Sequence, residues 1–304
     1  MGEFQGSPMI VSASYRTDIP TFYGAWFMNR LRAGYCMVPN PYGGRPYRVS
    51  LRPADVDGIV FWTKNLAPFL PHLAEVRERG VQFVVQYAIN GYPRALESAV
   101  VDVARSVAHV RRVAGEFGPK VCVWRYDTIV SSSLTPRDHH VRTFERLAGD
   151  LAGAVDEVVI SFAQVYRKTK RKLDAAAAAH GFTWDDPADE EKRSLASELA
   201  GLAQAHGIRL TVCSQHAYLV PGAGDARCID AERLAAVAGR SLPPARLKGN
   251  RPECGCYESR DIGAYDTCPH GCAYCYAVRG HDLARARFAR HDPDGEYLFA
   301  PAGG

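Results

Sequence analysis

Short apolar runs rich in β-branched residues alternate along this chain with longer stretches in which apolar positions recur every three to four residues. That alternation is the signature of βαβ units and a parallel sheet. The apolar runs predict strands over residues 10–14, 59–63, 81–89, 120–126, 157–162 and 209–213. The helical periodicity predicts helices over 23–33, 69–78, 95–117, 135–150, 173–180 and 190–206. Gly80, Gly118 and Gly207 fall where helices must stop before the next strand, and glycine ends helices because it accepts left-handed backbone without a steric cost. Six β/α repeats therefore run to about residue 222.

The remainder continues the alternation. A helix is predicted over 230–238, a proline-rich crossing over 242–244, a short strand over 261–265 and an arginine-bearing helix over 282–290. Between that strand and helix lies Cys268-Pro269-His270-Gly271-Cys272-Ala273-Tyr274-Cys275. The expected fold is α/β: a (β/α) barrel of TIM-like or partial-barrel type, with six units plus a C-terminal cysteine-bearing unit. Residues 1–8 read as an extension or tag remnant ahead of Met9, 9–222 as the barrel body, and 223–304 as a segment that completes the barrel. The tail from 293 is expected to be extended and partly loose.

Composition narrows the function classes. The net charge of +4 over 304 residues permits an acidic or phosphate-bearing partner without demanding one. No apolar run approaches the roughly 18–20 residues that cross a bilayer, and the first residues lack a charged-then-apolar leader, so a cytoplasmic protein without a membrane partner is expected. Nine cysteines, an odd number in a chain of this size, argue against a disulfide framework. Five of them fall between 254 and 275, and such clustering points to metal.

The spacing C-x3-C-x2-C suits one corner of an iron–sulfur cube. A [4Fe–4S] cluster takes its thiolates on separate irons, so three local cysteines leave one iron for another ligand. Gly271 relieves backbone crowding in the turn. The rival is zinc on Cys254, Cys256, Cys272 and Cys275, which leaves Cys268 and the aromatic Tyr274 without a role. Cys213, Cys228, Cys254 and Cys256 supply the four thiolates of a second cluster; the alternative makes Cys213 and Cys228 small buried hydrophobes. Cys36 and Cys122 read as core.

Polar residues recur just after the strands: Arg16 and Asp18, Lys64 and Asn65, Asn90, Arg125 and Asp127, Gln164, then Gln215 and His216. In parallel β/α barrels the active site is built at this rim. Each alone also reads as a cap or turn residue.

Cys268, Cys272 and Cys275, with Tyr274 before the last, resemble the radical S-adenosylmethionine (SAM) motif residue for residue. The wider chain resembles an uncharacterised bacterial family of unknown function over 10–20, 61–65, 124–127 and 254–277. The resemblance implies a [4Fe–4S] cluster, SAM, an electron donor such as flavodoxin or ferredoxin, and reductive cleavage of SAM to a 5′-deoxyadenosyl radical. Radical SAM cysteines normally follow the first strand, whereas these come last, which implies a circular permutation. On that basis Ser14, Arg16 and Asp18 fall where the SAM amino group is held. Arg125 and Asp127 become carboxylate and ribose contacts, and Tyr274 packs beside the adenine.

Tyr15, Lys64, Asn65, Tyr87 and Gln164 are expected to face the substrate, a small molecule or nucleic acid. The basic run at 167–172 is either a phosphate contact or solvated helix surface. Two other classes stay open. One is a barrel hydrolase or nuclease with a divalent metal on Asp18, Asp127 and His216 above a structural zinc; the other is a non-catalytic iron–sulfur protein.

Overall fold

The computed structural model describes residues 9–40 and 43–300. The expected N-terminal extension and the last four residues of the tail lie outside that range. Eight strands form one sheet: β1 (Met9–Ala13), β2 (Val56–Thr63), β3 (Phe83–Ala88), β4 (Cys122–Ile129), β5 (Glu157–Phe162), β6 (Arg209–Val212), β7 (Ala223–Asp225) and β8 (Ser259–Asp261). Their order is β8-β1-β2-β3-β4-β5-β6-β7, and every pairing is parallel. Seven strands thus follow chain order, and the last strand adds itself ahead of the first.

Pairing ends at β7 and β8, so the sheet is not closed: of the TIM-like or partial barrel expected, the structure shows an α/β fold with an open parallel sheet flanked by helices. The physical reason lies in the end strands. Each is three residues long, and Ala-Gly-Asp and Ser-Arg-Asp carry none of the β-branched or aromatic side chains that stabilise a strand pair.

Side chains alternate across the sheet. One face of the strands presents Val11, Ile59, Phe61, Val85, Tyr87, Trp124, Tyr126, Val158 and Ile160 to the main core. The helices of that layer are α1 (Ile19–Phe22), α2 (Gly24–Ala33), α3 (Leu73–Glu78), α4 (Val103–Phe117), α5 (Arg137–Leu151) and α7 (Asp189–Ala205). Helix α6 (Arg167–His180) instead clusters through Leu173 with Ala273 and Tyr274 of the cysteine loop. The other face presents Ile10, Val60, Val84, Val123 and Val159, which pack with Leu234 of α8 (Ala231–Ala238). Arg233 of α8 anchors it to Asp156 at 2.7 Å and to Glu157 at the start of β5 at 2.6 Å. A ninth helix, α9 (His281–Ala289), follows the cysteine loop. None of the helices described is long and apolar enough to cross a membrane.

Four boundaries differ from the sequence reading. The helix predicted from residue 95 starts at Val103, capped by the Asp102 carboxylate, because residues 96–99 pair instead with the cysteine loop. Helix α6 starts at Arg167 rather than at 173, so the basic run belongs to it. The last strand is Ser259–Asp261 rather than 261–265. The tail is docked through residue 298: Trp26 donates to the Gly295 carbonyl at 3.0 Å, Met37 N donates to Glu296 at 2.9 Å, and Leu298 is buried.

The seat of α8 is testable. A Cβ on Gly58 would lie 2.6 Å from Leu234 Cδ2 and 3.3 Å from the Gln82 carbonyl. Leu234→Ala is expected to cost about 2–5 kcal/mol, and Gly58→Ala about 1–3 kcal/mol through overpacking. In the Leu234→Ala background the glycine substitution should cost clearly less. Denaturant midpoints of the four proteins measure this coupling, and additive costs would mean that the two residues do not touch.

Candidate functional site

The cysteine loop leaves the C-terminal end of β8 and is closed at its neck by Asp266 N donating to the Ala277 carbonyl at 3.0 Å. The Asp266 carboxylate receives Arg279 N at 2.6 Å and Arg279 Nε at 2.7 Å. Its far side is fastened to the segment before α4: Ala99 N donates to the His270 carbonyl at 3.0 Å and Ala273 N to the Leu96 carbonyl at 2.9 Å. Gly271 turns the chain there with φ of +70°, and a Cβ would lie 2.1 Å from Ser98 Oγ. Only glycine fits both demands.

The three cysteines of the loop are free and half-buried. Burial pushes the Cys268 thiol well above its usual value, and Asp18, Cys275 and Cys272 add to the effect. Burial also pushes Cys272 up to about 12, against the pull of Lys64 and with Glu97 and Cys275 reinforcing it. Cys275 Sγ accepts the Ala277 N–H at 3.3 Å, and Lys172 of α6 donates to the Cys275 carbonyl. Thiols that oppose one another's ionisation in this way are relieved by positive metal between them, because a coordinating thiol is deprotonated outright.

Two buried carboxylates lock this loop to the start of the chain. Asp18 Oδ1 caps α1 through Thr21 N at 2.9 Å. Its Oδ2 accepts Thr63 Oγ1 at 3.1 Å and Lys64 N at 2.7 Å, and lies 2.7 Å from His270 Nε2. Asp261 accepts Ser12 Oγ at 2.8 Å, Ser14 Oγ at 2.6 Å, Tyr15 N at 3.1 Å and Gly263 N at 2.9 Å, with Arg16 Nε 3.7 Å away. Ser14 and Arg16 therefore face a protein carboxylate, and Asp18 is held on both oxygens. In this structure these three side chains brace the loops around the site.

The mouth of the sheet is lined by further pairs. Lys64 Nζ donates to Glu97 Oε1 at 2.8 Å and to Asn90 Oδ1 at 3.1 Å, and the Tyr274 hydroxyl donates to the same Glu97 oxygen. Burial works against the Lys64 ammonium, but Glu97 and Cys272 hold its pKa above the ordinary value. On β4, Arg125 donates from Nε to Asp127 Oδ2 at 3.0 Å and from Nη1 to Gln86 Oε1 at 3.2 Å. Its guanidinium lies 5.0 Å from the Trp62 ring centroid. Burial pushes the Asp127 carboxyl up, yet Arg125 and the Ser161 hydroxyl outweigh it and hold it below its usual value.

Other expected residues divide. Tyr15 lies half-buried at the mouth beside Trp62. Gln164 pairs with Tyr166 and approaches Arg251. Asn65 accepts Ala67 N as a turn residue. Tyr87 points the other way: it is fully buried among the helices, where its hydroxyl accepts Leu66 N and meets His109, so its substrate role is withdrawn. Asp18, Asp127 and His216 are engaged separately, His216 with Asp225 at 3.0 Å, and do not assemble a divalent site.

The suggested zinc set is also divided. Cys272 lies near Cys275 and Lys64, whereas Cys254 and Cys256 join Cys213 and Cys228. Among the described residues no three His, Cys, Asp or Glu side chains converge to hold a single metal ion. The basic run is two-sided: Lys170 pairs with Asp174 at 2.8 Å, while Arg171 donates to the Arg279 carbonyl at 3.1 Å and Lys172 buttresses the cysteine loop. Glu97, His270, Asp261 and Arg251 were not anticipated as site residues. Of these only His270 had a signal, its position inside the cysteine motif.

The family profile described as Domain of unknown function (DUF1848) matches residues 10–277, from β1 through the last cysteine of the loop. The chain belongs to this family. Among curated proteins, none matches it. The match spans β1 through the cysteine loop and leaves out α9.

The Arg125–Asp127 pair gives a pH-dependent prediction. Because Asp127 titrates below the ordinary carboxylate value of about 3.9, its contribution is present above that value and lost as pH falls through the lowered one. Arg125→Met leaves a buried carboxylate unpaired and should cost about 3–5 kcal/mol near neutral pH. Stability curves of both proteins should converge in acid; a gap that does not change with pH would mean that the pair is not the cause.

Proposed function

We propose that this DUF1848 chain is a radical SAM enzyme in which Cys268, Cys272 and Cys275 hold a [4Fe–4S] cluster. The observation that carries this reading is the place of the three-thiol loop in the sheet. It follows β8, and β8 pairs in parallel with β1 through Ile10↔Ser259, Val11↔Arg260 and Ser12↔Asp261. A cysteine-bearing first unit moved to the end of the chain would return to that position. The sheet is then a partial barrel with the cysteine unit as its spatially first member.

The donor set fits the group. Three neighbouring thiols in one loop suit a cluster that takes them as thiolates, the Ala277 N–H on Cys275 Sγ is the kind of hydrogen bond that tunes cluster potential, and Lys64 adds positive charge nearby. When bound together with SAM, the reduced cluster supplies one electron for cleavage of the sulfur–C5′ bond, giving methionine and a 5′-deoxyadenosyl radical that abstracts hydrogen from substrate. The chain's own residues do the rest. Asp18 through His270, and Asp261 through Ser14, fix the loop against β1. Glu97 holds Lys64 and Tyr274 at the loop's edge. Arg125 and the ionised Asp127 offer a donor fork and an acceptor inside the mouth, suited to carboxylate and hydroxyl groups. An external one-electron donor of the flavodoxin or ferredoxin class is the implied partner.

Anaerobically reconstituted protein should hold about four irons per chain in the loop cluster. With dithionite and SAM it should release 5′-deoxyadenosine, seen by mass spectrometry. Cys268→Ala, Cys272→Ala and Cys275→Ala should each abolish that product while the circular dichroism spectrum stays that of the parent. Zinc in place of iron, or an iron-loaded and reduced protein that leaves SAM intact, would defeat the proposal.

A second prediction concerns the turn. Gly271→Ala should displace the loop from Ser98 and lower iron loading, with little change in helix content. Unaltered iron per chain would show that the loop does not need the left-handed turn.

A further inference from the structure

Four cysteines lie outside both the loop and the apolar helix layer. Cys36 and Cys122 belong to the main core between sheet and helices. Cys213, Cys228, Cys254 and Cys256 gather on the opposite face of the sheet. We propose that these four thiols form a second sulfur-ligated site that holds an iron–sulfur cluster of its own. The inference stands independently of the function assigned to the Cys268 loop, since it uses none of that loop's residues.

Three separate segments deliver the four sulfurs. Cys213 directly follows β6, Cys228 comes three residues after β7, and Cys254 and Cys256 lie on the crossing that leads to β8. Their side chains touch in series: Cys213 Sγ is 3.6 Å from Cys228 Sγ, Cys228 contacts Cys256, and Cys256 contacts Cys254. Small hydrophobes in a core would not bring hydrogen-bond donors with them, yet three of these sulfurs have one. Arg125 Nη1 donates to Cys228 Sγ at 2.9 Å, Arg251 Nη2 to Cys213 Sγ at 3.6 Å, and Ile229 N to Cys256 Sγ at 3.4 Å.

The charge balance points the same way. Arg125 is 5% exposed, and bringing a guanidinium onto sulfur is favourable chiefly when that sulfur is negative. Asp127 neutralises Arg125, whereas Arg251 finds Gln164 Oε1 at 3.5 Å and Cys213 Sγ. Arg251 thus has no carboxylate partner among the salt bridges of the described residues and turns to a sulfur instead. Thiolates bound to a metal centre supply the missing negative charge.

Four cysteine sulfurs are also a tetrahedral zinc set. Iron–sulfur clusters take four thiolates distributed over two or more irons, and sulfurs touching in series, three of them with a hydrogen-bond donor, suit that spread. The metal bound separates the two.

The test uses the full chain with Cys268→Ala, Cys272→Ala and Cys275→Ala combined, so that loop iron cannot contribute. After anaerobic reconstitution with ferrous iron and sulfide, this variant should retain about two to four irons with matching sulfide and a visible charge-transfer band. Adding Cys254→Ala and Cys256→Ala should remove both. Absence of iron from the triple variant, stoichiometric zinc in its place, or a Cys213–Cys228 disulfide found by mass mapping would overturn the proposal. Should the triple variant not fold, Mössbauer spectra of the parent and of Cys254→Ala alone decide the question. Loss or change of one set of iron environments supports the site, and superimposable spectra reject it. Failure of the loop reading leaves these outcomes untouched.

Discussion

A buried carboxylate joins the first and last strands of this chain's sheet. Asp261 closes β8 and collects hydrogen bonds from Ser12, Ser14, Tyr15 and Gly263. The β8–β1 ladder covers three residue pairs, too few to fix a strand that arrives some 250 residues later without further restraint. Burying a carboxylate is costly unless hydrogen bonds and opposite charge offset it. Burial indeed pushes Asp261 upward, with Arg16, Ser14 and Gly263 opposing that shift. The arrangement is satisfied only when β8 lies against β1, so it specifies the register as well as the pairing. The cysteine loop takes its starting point from that strand, and its far side is fastened separately to the segment before α4.

From Asp261 a continuous set of contacts crosses the mouth. Ser12 Oγ donates to Asp261 and accepts the Trp62 indole N–H at 3.1 Å. The Trp62 ring lies under Arg125, and Arg125 reaches both Asp127 and Cys228. The three-thiol loop and the four-thiol group therefore share one polar layer, built on alternate positions of β1, β2 and β4. On the other face the same strands carry the apolar side chains of the main core. This division of labour, with a dry helix layer outside and a charged, sulfur-rich mouth inside, follows from period-two alternation once both faces are covered.

That covering also explains which parts were legible in the sequence. The strand at 157–162 and the ends of the helices before Gly80, Gly118 and Gly207 follow from apolar runs and glycine stops, and the structure agrees. Tyr87 was misplaced because strands buried on both faces read as continuous apolar runs, which hides the parity that sends it outward with Val85. The first turns of the helix expected from 95 were lost to a long-range partner, since Leu96 and Ala99 hydrogen-bond to the cysteine loop instead. Glu97, which links Lys64 and Tyr274, and Arg251, which reaches Cys213, are ordinary surface residues by composition. Their importance comes from partners far along the chain, and no local pattern encodes it. The cysteine motif itself was plain because its spacing is local.

The central claim is that three thiols of one loop leave an iron open to SAM. Electron paramagnetic resonance of the dithionite-reduced, iron-loaded protein before and after SAM addition tests it most directly. A shifted signal, with hyperfine coupling to 15N- or 17O-labelled SAM that disappears in Cys272→Ala, is the expected result. A spectrum unchanged by saturating SAM, from protein whose loop cluster is fully assembled, would contradict it.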